Sequence, residues 1–298
     1  METDLQIAWE KTTWNVEESL LDLLRPLRHL SVYDDASPSL RVHVKRLQGS
    51  PPGVVHMQIE ERQTYHRLER SWSRWNKEER RIEASFLSID LLTLHELGRP
   101  LHAQLSLWHN FVGKPLIHAG LVRWNGRGVL IGGESGRGKS TLTRLIAEAG
   151  GEFISDDLTS ICKLGNTFRG HGLYASSYNS RGVGKAPRYS GEEKHLEIVS
   201  EGQLKVAVES RIDMLVLPHP KRVGPLKPSV ALFDLAPGSI LTGCLAPGSS
   251  ALESLAELVR SIPCYSLSWD EDWRRVLETM DKQPPRQADQ KPVERPRR

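Results

Sequence analysis

GGESGRGKST, residues 132–141, carries the pattern G-x-x-x-x-G-K-[ST] from Gly133 to Ser140. The apolar GVLI (128–131) runs into it, and the amphipathic STLTRLIAEAG (140–150) leaves it. A strand, a glycine-rich loop and a helix in that order are the context a phosphate-holding loop requires. Gly133, Gly136 and Gly138 let backbone amides turn inward, and the helix N-terminus adds partial positive charge. Lys139 reads as the cation on the β- and γ-phosphate oxygens, and Ser140 as a hydroxyl for Mg²⁺. Glu134, Ser135, Arg137 and Thr141 complete the expected nucleotide-binding stretch.

Outward from the loop, LIHAGLVRW (116–124) and GVLIGG (128–133) read as strands joined through NGRG (125–128), a hairpin turn sequence. His118 falls on the strand before that hairpin, where antiparallel pairing is expected to bring it to the mouth of the loop. Downstream, FIS (153–155) reads as a very short strand ending at Asp156 and Asp157. Successive side chains on a strand alternate, so the two carboxylates are expected to serve different neighbours. One attends Mg²⁺; the other faces the γ-phosphate and the incoming acceptor, where a carboxylate takes a proton from a hydroxyl. Residue spacing alone leaves open which is which.

Elsewhere the pattern predicts secondary structure without chemistry. NVEESLLDLLRPL (15–27) reads as a helix capped by Asn15, and RVHVKRL (41–47) and VVHMQIEE (54–61) as strands turning at SPPG (50–53). IDLLTLHEL (89–97) and PLHAQLSLWHNFV (100–112) read as helices split at Gly98-Arg99-Pro100. His95, His102 and His109 recur every seven residues, about 10.5 Å along a helix, which is too far for one ion. They read as polar helix edges. Further strands are expected at LEIV (196–199), LKVAV (204–208), IDMLVL (212–217), SVALFDL (229–235) and CYSLSW (264–269), with a helix over SALESLAELVRSI (250–262).

The 298 residues are 38% hydrophobic and 26% charged, an ordinary globular composition with no apolar run long enough to span a membrane. METDLQIAWEK lacks the basic and apolar regions of a signal peptide. The three scattered cysteines, with no C-x-x-C pair, fit a reducing cytoplasm better than a disulfide framework. The tail KQPPRQADQKPVERPRR (282–298) holds six Lys/Arg against two acidic residues, a surplus of four where the whole chain nets +3. The remainder is close to neutral, and no basic stripe interleaved with aromatics points to nucleic acid. The tail reads as a disordered, Pro-rich segment.

His118, the GESGRGKS loop and SDD together resemble the catalytic domain of the bacterial HPr kinase/phosphorylase family. That family has a histidine before a short hairpin, a GDSGVGKS-like loop and an ADD-like pair. NSRGVGK (179–185) resembles its E-I-R-G-L-G segment, with Asn179 where the family carries a metal-binding glutamate. The resemblance covers roughly residues 113–270. It implies a mixed-sheet α/β fold of the HPr kinase and PEP carboxykinase type. On that reading Lys139 holds phosphates, and Ser140, Asp156 and Asn179 attend Mg²⁺. Asp157 accepts the proton, His118 tunes the acidic pair, and Arg181, Arg211 and Arg222 are candidate phosphate or substrate contacts. The layout also resembles HPr-kinase-related enzymes of peptide natural-product pathways, including lasso-precursor kinases that phosphorylate a C-terminal serine.

The expected organisation is an N-terminal α+β module over 1–112, possible seat of substrate recognition, a phosphate-loop domain over 113–280 and the tail over 281–298. The expected activity is ATP- and Mg²⁺-dependent transfer of phosphate to a serine hydroxyl of a peptide or small protein. The expected setting is the cytoplasm, without nucleic acid or membrane, with homo-oligomers an open possibility. The competing readings are a small-molecule kinase of the same fold and a nucleotide switch that transfers nothing. An acidic pair beside a histidine favours transfer, because a switch needs a group that orients water.

Overall fold

The computed structural model describes residues 2–7, 10–27, 30–31, 39–48, 57–59, 63–68, 71–92, 94–180, 194–199, 203–219, 222–241, 250–268 and 273–281. The SPPG turn, Arg181 and the tail from 282 lie outside them. The fold is mixed α/β.

The first part is an eight-stranded sheet: β1 (Glu2–Ile7), β2 (Glu10–Val16), β3 (Leu30–Ser31), β4 (Leu40–Arg46), β5 (Met57–Ile59), β6 (Gln63–Leu68), β7 (Ser71–Asn76) and β8 (Arg81–Phe86). Their order is β3-β1-β2-β4-β8-β7-β6-β5. RVHVKRL is a strand as expected, but its neighbours are β2 and β8, both parallel to it, while β5 pairs with β6. Alternation puts Leu40, Val42 and Val44 inward without saying which strand lies alongside. The expected helix over 15–27 shrinks to a 3₁₀ turn at Glu18–Leu24, and Asn15 belongs to β2 instead of capping it. Buried Leu20 and Leu23 are spaced by three, which suits the tighter winding.

Two helices follow, α1 (Leu94–Gly98) and α2 (His102–Phe111). His109 on α2 is wholly buried, not a polar edge. Beyond them run β9 (Leu116–His118), β10 (Gly120–Trp124) and β11 (Arg127–Ile131), then α3 (Lys139–Glu148). The β10–β11 turn places Asn125 and Gly126 at positive φ (48° and 79°), as an Asn-Gly hairpin does. Next come β12 (Glu152–Ser155), β13 (Leu158–Leu164), β14 (Thr167–Gly172), β15 (Ser176–Ser180), β16 (Lys194–Ile198), β17 (Lys205–Val206), β18 (Glu209–Ile212), β19 (Met214–Pro218) and β20 (Gly224–Pro225). The chain continues through α4 (Pro228–Leu241), α5 (Ser250–Ser261), β21 (Cys264–Leu267) and α6 (Trp273–Asp281).

SVALFDL, expected as a strand, lies in α4. Pro228 presets the first helical φ, and buried Ala231, Leu235 and Ser239 recur every fourth residue along one face. IDMLVL is two strands in different sheets, parted at Asp213, whose backbone and carboxylate both bond to Gly128.

The seven-stranded sheet has the order β17-β12-β10-β11-β19-β21-β20, with β11, β19 and β21 parallel. Both of its faces are covered, so its central strands are apolar throughout. Val129, Ile131, Val216, Tyr265 and Leu267 pack with Leu142 and Ile146 of α3 and Leu277 of α6. Leu130, Leu215 and Leu217 face Ala231 and Leu235 of α4, Leu255 and Leu258 of α5, and the four-stranded sheet β18-β14-β13-β9. A third apolar cluster runs from Trp14, Val42 and Ile82 through Leu105 and Trp108 of α2 to Leu116, Leu158 and Leu173. One core therefore crosses residue 112.

Candidate phosphate-transfer site

The loop 132–138 leaves the C-terminal end of β11 and enters α3 through Gly138. Gly133, Gly136 and Gly138 stand at φ 112°, 80° and 88°, a backbone that side chains other than glycine rarely adopt. The first turn of α3 has no side-chain cap and no acidic residue, which suits an anion at its amides. Lys139 is not solvent-facing: it is 5% exposed, and its Nζ donates to the carbonyls of Gly133 and Glu134, both at 3.0 Å. Glu134 and Arg137 are ion-paired across the loop at 2.8 Å.

The acidic pair occupies the bend between β12 and β13. Thr159 braces that corner: its hydroxyl shares a hydrogen bond with Ser155 Oγ (2.6 Å) and donates to the Ala119 carbonyl (2.8 Å). Gly120 lets α3 approach: a Cβ there would stand 2.5 Å from Thr143 Oγ1 and 2.9 Å from the Asp156 carbonyl. The helix that follows the glycine loop and the acidic corner are thus brought together through a missing methyl group.

The two carboxylates diverge, as alternation requires. Asp156, 1% exposed, accepts from Ser177 Oγ at 2.9 Å. Asp157, 8% exposed, has Oδ1 3.1 Å from His118 Nδ1 and forms an ion pair through Oδ2 with Arg99. His118 reaches the site by a different route from the one expected. Its strand β9 pairs with β13, Leu158 opposite His118, while β10 pairs with β11. Its backbone N–H donates to Ser239 Oγ on α4, at 2.9 Å. The adjacent Gly238 faces both the Gly133 carbonyl and the His118 ring. Packing of α4 places His118 beside the loop.

The remaining candidates separate. Arg222 follows β19 on the loop's side and lies 3.6 Å from Asp234 of α4. His219 beside it is held below the usual histidine range by burial and by the charges of Arg137 and Arg222. Arg211 is ion-paired with Asp213 at the end of β11 remote from the loop, so it does not join the site. Asn179 lies on β15 opposite His195; its side chain, like all of Arg181, is outside the described part. Among the described residues no three His, Cys, Asp or Glu side chains form a metal cage. Ser140 and Asp156, one hydroxyl and one carboxylate, are the residues that would hold a metal here, and they suit only one that takes its remaining ligands from elsewhere.

Two contributors carried no motif. Ser177 is an ordinary serine in the sequence. Arg99 sits in Gly98-Arg99-Pro100, a stretch that reads only as a helix break.

No protein-family model and no curated protein matches the chain. Among solved structures it is similar to the Hpr(Ser) kinase/phosphatase from Coxiella burnetii, at 16% identity, over 56% of this chain and 94% of that one, with a TM-score of 0.34. A likeness at that score carries no weight of its own. No helix among the described residues is long and apolar enough to cross a membrane.

Proposed function

We propose that this chain is an ATP- and Mg²⁺-dependent kinase with a fold of the HPr kinase type. It transfers the γ-phosphoryl group to a serine hydroxyl of a peptide or small protein. The observation that carries the reading is that the Lys139 loop and the buried acidic pair beside His118 lie at one end of the seven-stranded sheet, with Gly238 facing both the Gly133 carbonyl and the His118 ring. The loop amides and the first turn of α3 hold the phosphates. Lys139 exchanges its two loop carbonyls for phosphate oxygens and neutralises charge as it spreads over the γ-phosphoryl group. Mg²⁺, held by Ser140 and Asp156, supplies further charge neutralisation when bound.

The acceptor oxygen bonds to the γ-phosphorus while the bond to the β–γ bridging oxygen breaks, releasing ADP. The hydroxyl proton passes to Asp157, the more exposed carboxylate, which His118 steadies. A peptide with a C-terminal serine, as in the natural-product kinases the motifs resemble, is the preferred acceptor.

The test combines γ-labelled ATP, a panel of peptides ending in serine, and mass spectrometry to locate the phosphate. Asp157→Asn keeps shape but removes proton acceptance, so single-turnover transfer should fall roughly 10²–10⁴-fold. Calorimetry should find ATP bound within a few-fold of wild type. Transfer by this variant at the wild-type rate overturns the assignment of Asp157.

A further inference from the structure

The Asp157 carboxylate is engaged from two sides, by His118 of β9 and by Arg99 of the α1–α2 connection. That connection belongs to the part of the chain before the phosphate-loop hairpin and is held rigidly where it passes the site. Ser176 Oγ donates to the Gly98 carbonyl and Tyr174 Oη to the Pro100 carbonyl, both at 2.6 Å and both buried. Arg99 thus stands between two anchored peptide groups. The left-handed turn at Leu101 (φ 58°) then directs the chain into α2. β15, which supplies the Ser176 anchor, also supplies Ser177 to Asp156. One run, Tyr174–Ser177, therefore anchors Asp156 and the two peptide groups on either side of Arg99, which meets Asp157.

We infer that Arg99 is a positioning residue for phosphoryl transfer, contributed by the N-terminal part of the chain: its guanidinium fixes the orientation of the Asp157 carboxylate between itself and His118. A surface ion pair would not need this framing. The Arg99 side chain is only 12% exposed, and a planar fork defines a carboxylate's orientation where a point charge would not. The inference rests on the kinase reading above.

The test is single-turnover transfer from γ-labelled ATP to the serine peptide that the wild-type chain phosphorylates best. Arg99→Ala should lower the transfer rate about 10–100-fold, the usual cost of a misplaced reacting group, with ATP affinity within about threefold. Arg99→Lys keeps charge but not the fork and should fall between the two. A cavity of about 40 Å³, lined in part by Ser71, Glu96, Arg99 and Gln104, lies beside the arginine stem. Added methylguanidine should therefore restore part of the rate to Arg99→Ala and none to Lys139→Ala, an effect that a merely structural arginine would not produce. Thermal melts identify a variant that has lost its fold, in which case Arg99→Lys and Arg99→Gln carry the comparison. Wild-type rates in the arginine variants, or loss of ATP affinity in step with rate, overturn the inference and leave the kinase reading standing. No transfer by the wild-type chain to any peptide overturns the kinase reading, and the use of Arg99 falls with it.

Discussion

Ser177 donates its hydroxyl to Asp156 Oδ2 at 2.9 Å, with both residues buried. A carboxylate that deep depends on the donors around it, because an ionised oxygen without hydrogen bonds is costly away from water. Ser177→Ala should therefore destabilise the chain by about 1–3 kcal/mol, measured by urea unfolding. If Asp156 attends Mg²⁺, the same variant should also need more Mg²⁺ for half-maximal transfer. An unchanged unfolding free energy would falsify the structural role of this bond.

Lys139 invites a second measurement. Its ammonium is buried and bonded to two loop carbonyls, so its loss affects the loop itself as well as the proposed hold on nucleotide. Lys139→Met, which keeps the aliphatic length, should weaken ATP about 10–100-fold, the worth of charged hydrogen bonds to phosphate. It should also lower the unfolding free energy by about 1–2 kcal/mol. Calorimetry and thermal unfolding read the two effects separately; ATP binding at wild-type strength would remove Lys139 from the phosphate site.

What was legible in the sequence was local. The β11–loop–α3 unit, the Asn125-Gly126 turn and the stop of β12 at Asp156 each follow from neighbours within a few residues. SVALFDL, a short apolar run, suits a buried strand and a buried helix alike, and its fourfold burial period shows only once the packing is known. The parallel partners of β4 and the route of His118 into the site depend on which strands lie side by side, which alternation does not encode. Arg99 was invisible for the same reason. It lies far from Asp157 along the chain, and no local pattern distinguishes it from any arginine in a helix break.

His109 ties the stability of the fold to pH. Burial, reinforced by the neighbouring His171, pushes its pKa down from 6.5 to about 3. The ring is thus neutral in the folded chain, with Nδ1 3.1 Å from the Lys114 carbonyl. The unfolded chain binds a proton at this histidine as pH drops below about 6.5, and the folded chain does not until about 3. Folding stability should therefore decline as pH falls through that window, by up to about 1.4 kcal/mol per pH unit from this group. His109→Asn puts an amide donor near the same carbonyl and should flatten that slope, although it lowers stability at neutral pH. Urea midpoints at pH 7 and pH 5 measure both chains; equal slopes would show that His109 is not the group responsible.

Gly238 on α4 packs between the loop and His118. A Cβ there would stand 3.3 Å from the Gly133 carbonyl and 3.5 Å from His118 Cδ2, tight but close to ordinary contact. Gly238→Ala should thus be nearly neutral for stability, since the gain of about 1 kcal/mol from replacing a helical glycine offsets slight crowding. Gly238→Val adds two further methyl groups to a Cβ whose nearest neighbours are the loop and the histidine. Overpacking of that kind costs about 1–3 kcal/mol and is relieved by moving one neighbour or both. Displacing Gly133 would weaken ATP binding, whereas displacing His118 would leave ATP bound and slow transfer through Asp157. Calorimetry beside single-turnover transfer tells the two apart. If the valine variant binds ATP and transfers phosphate like wild type, α4 does not set the distance between the loop and His118.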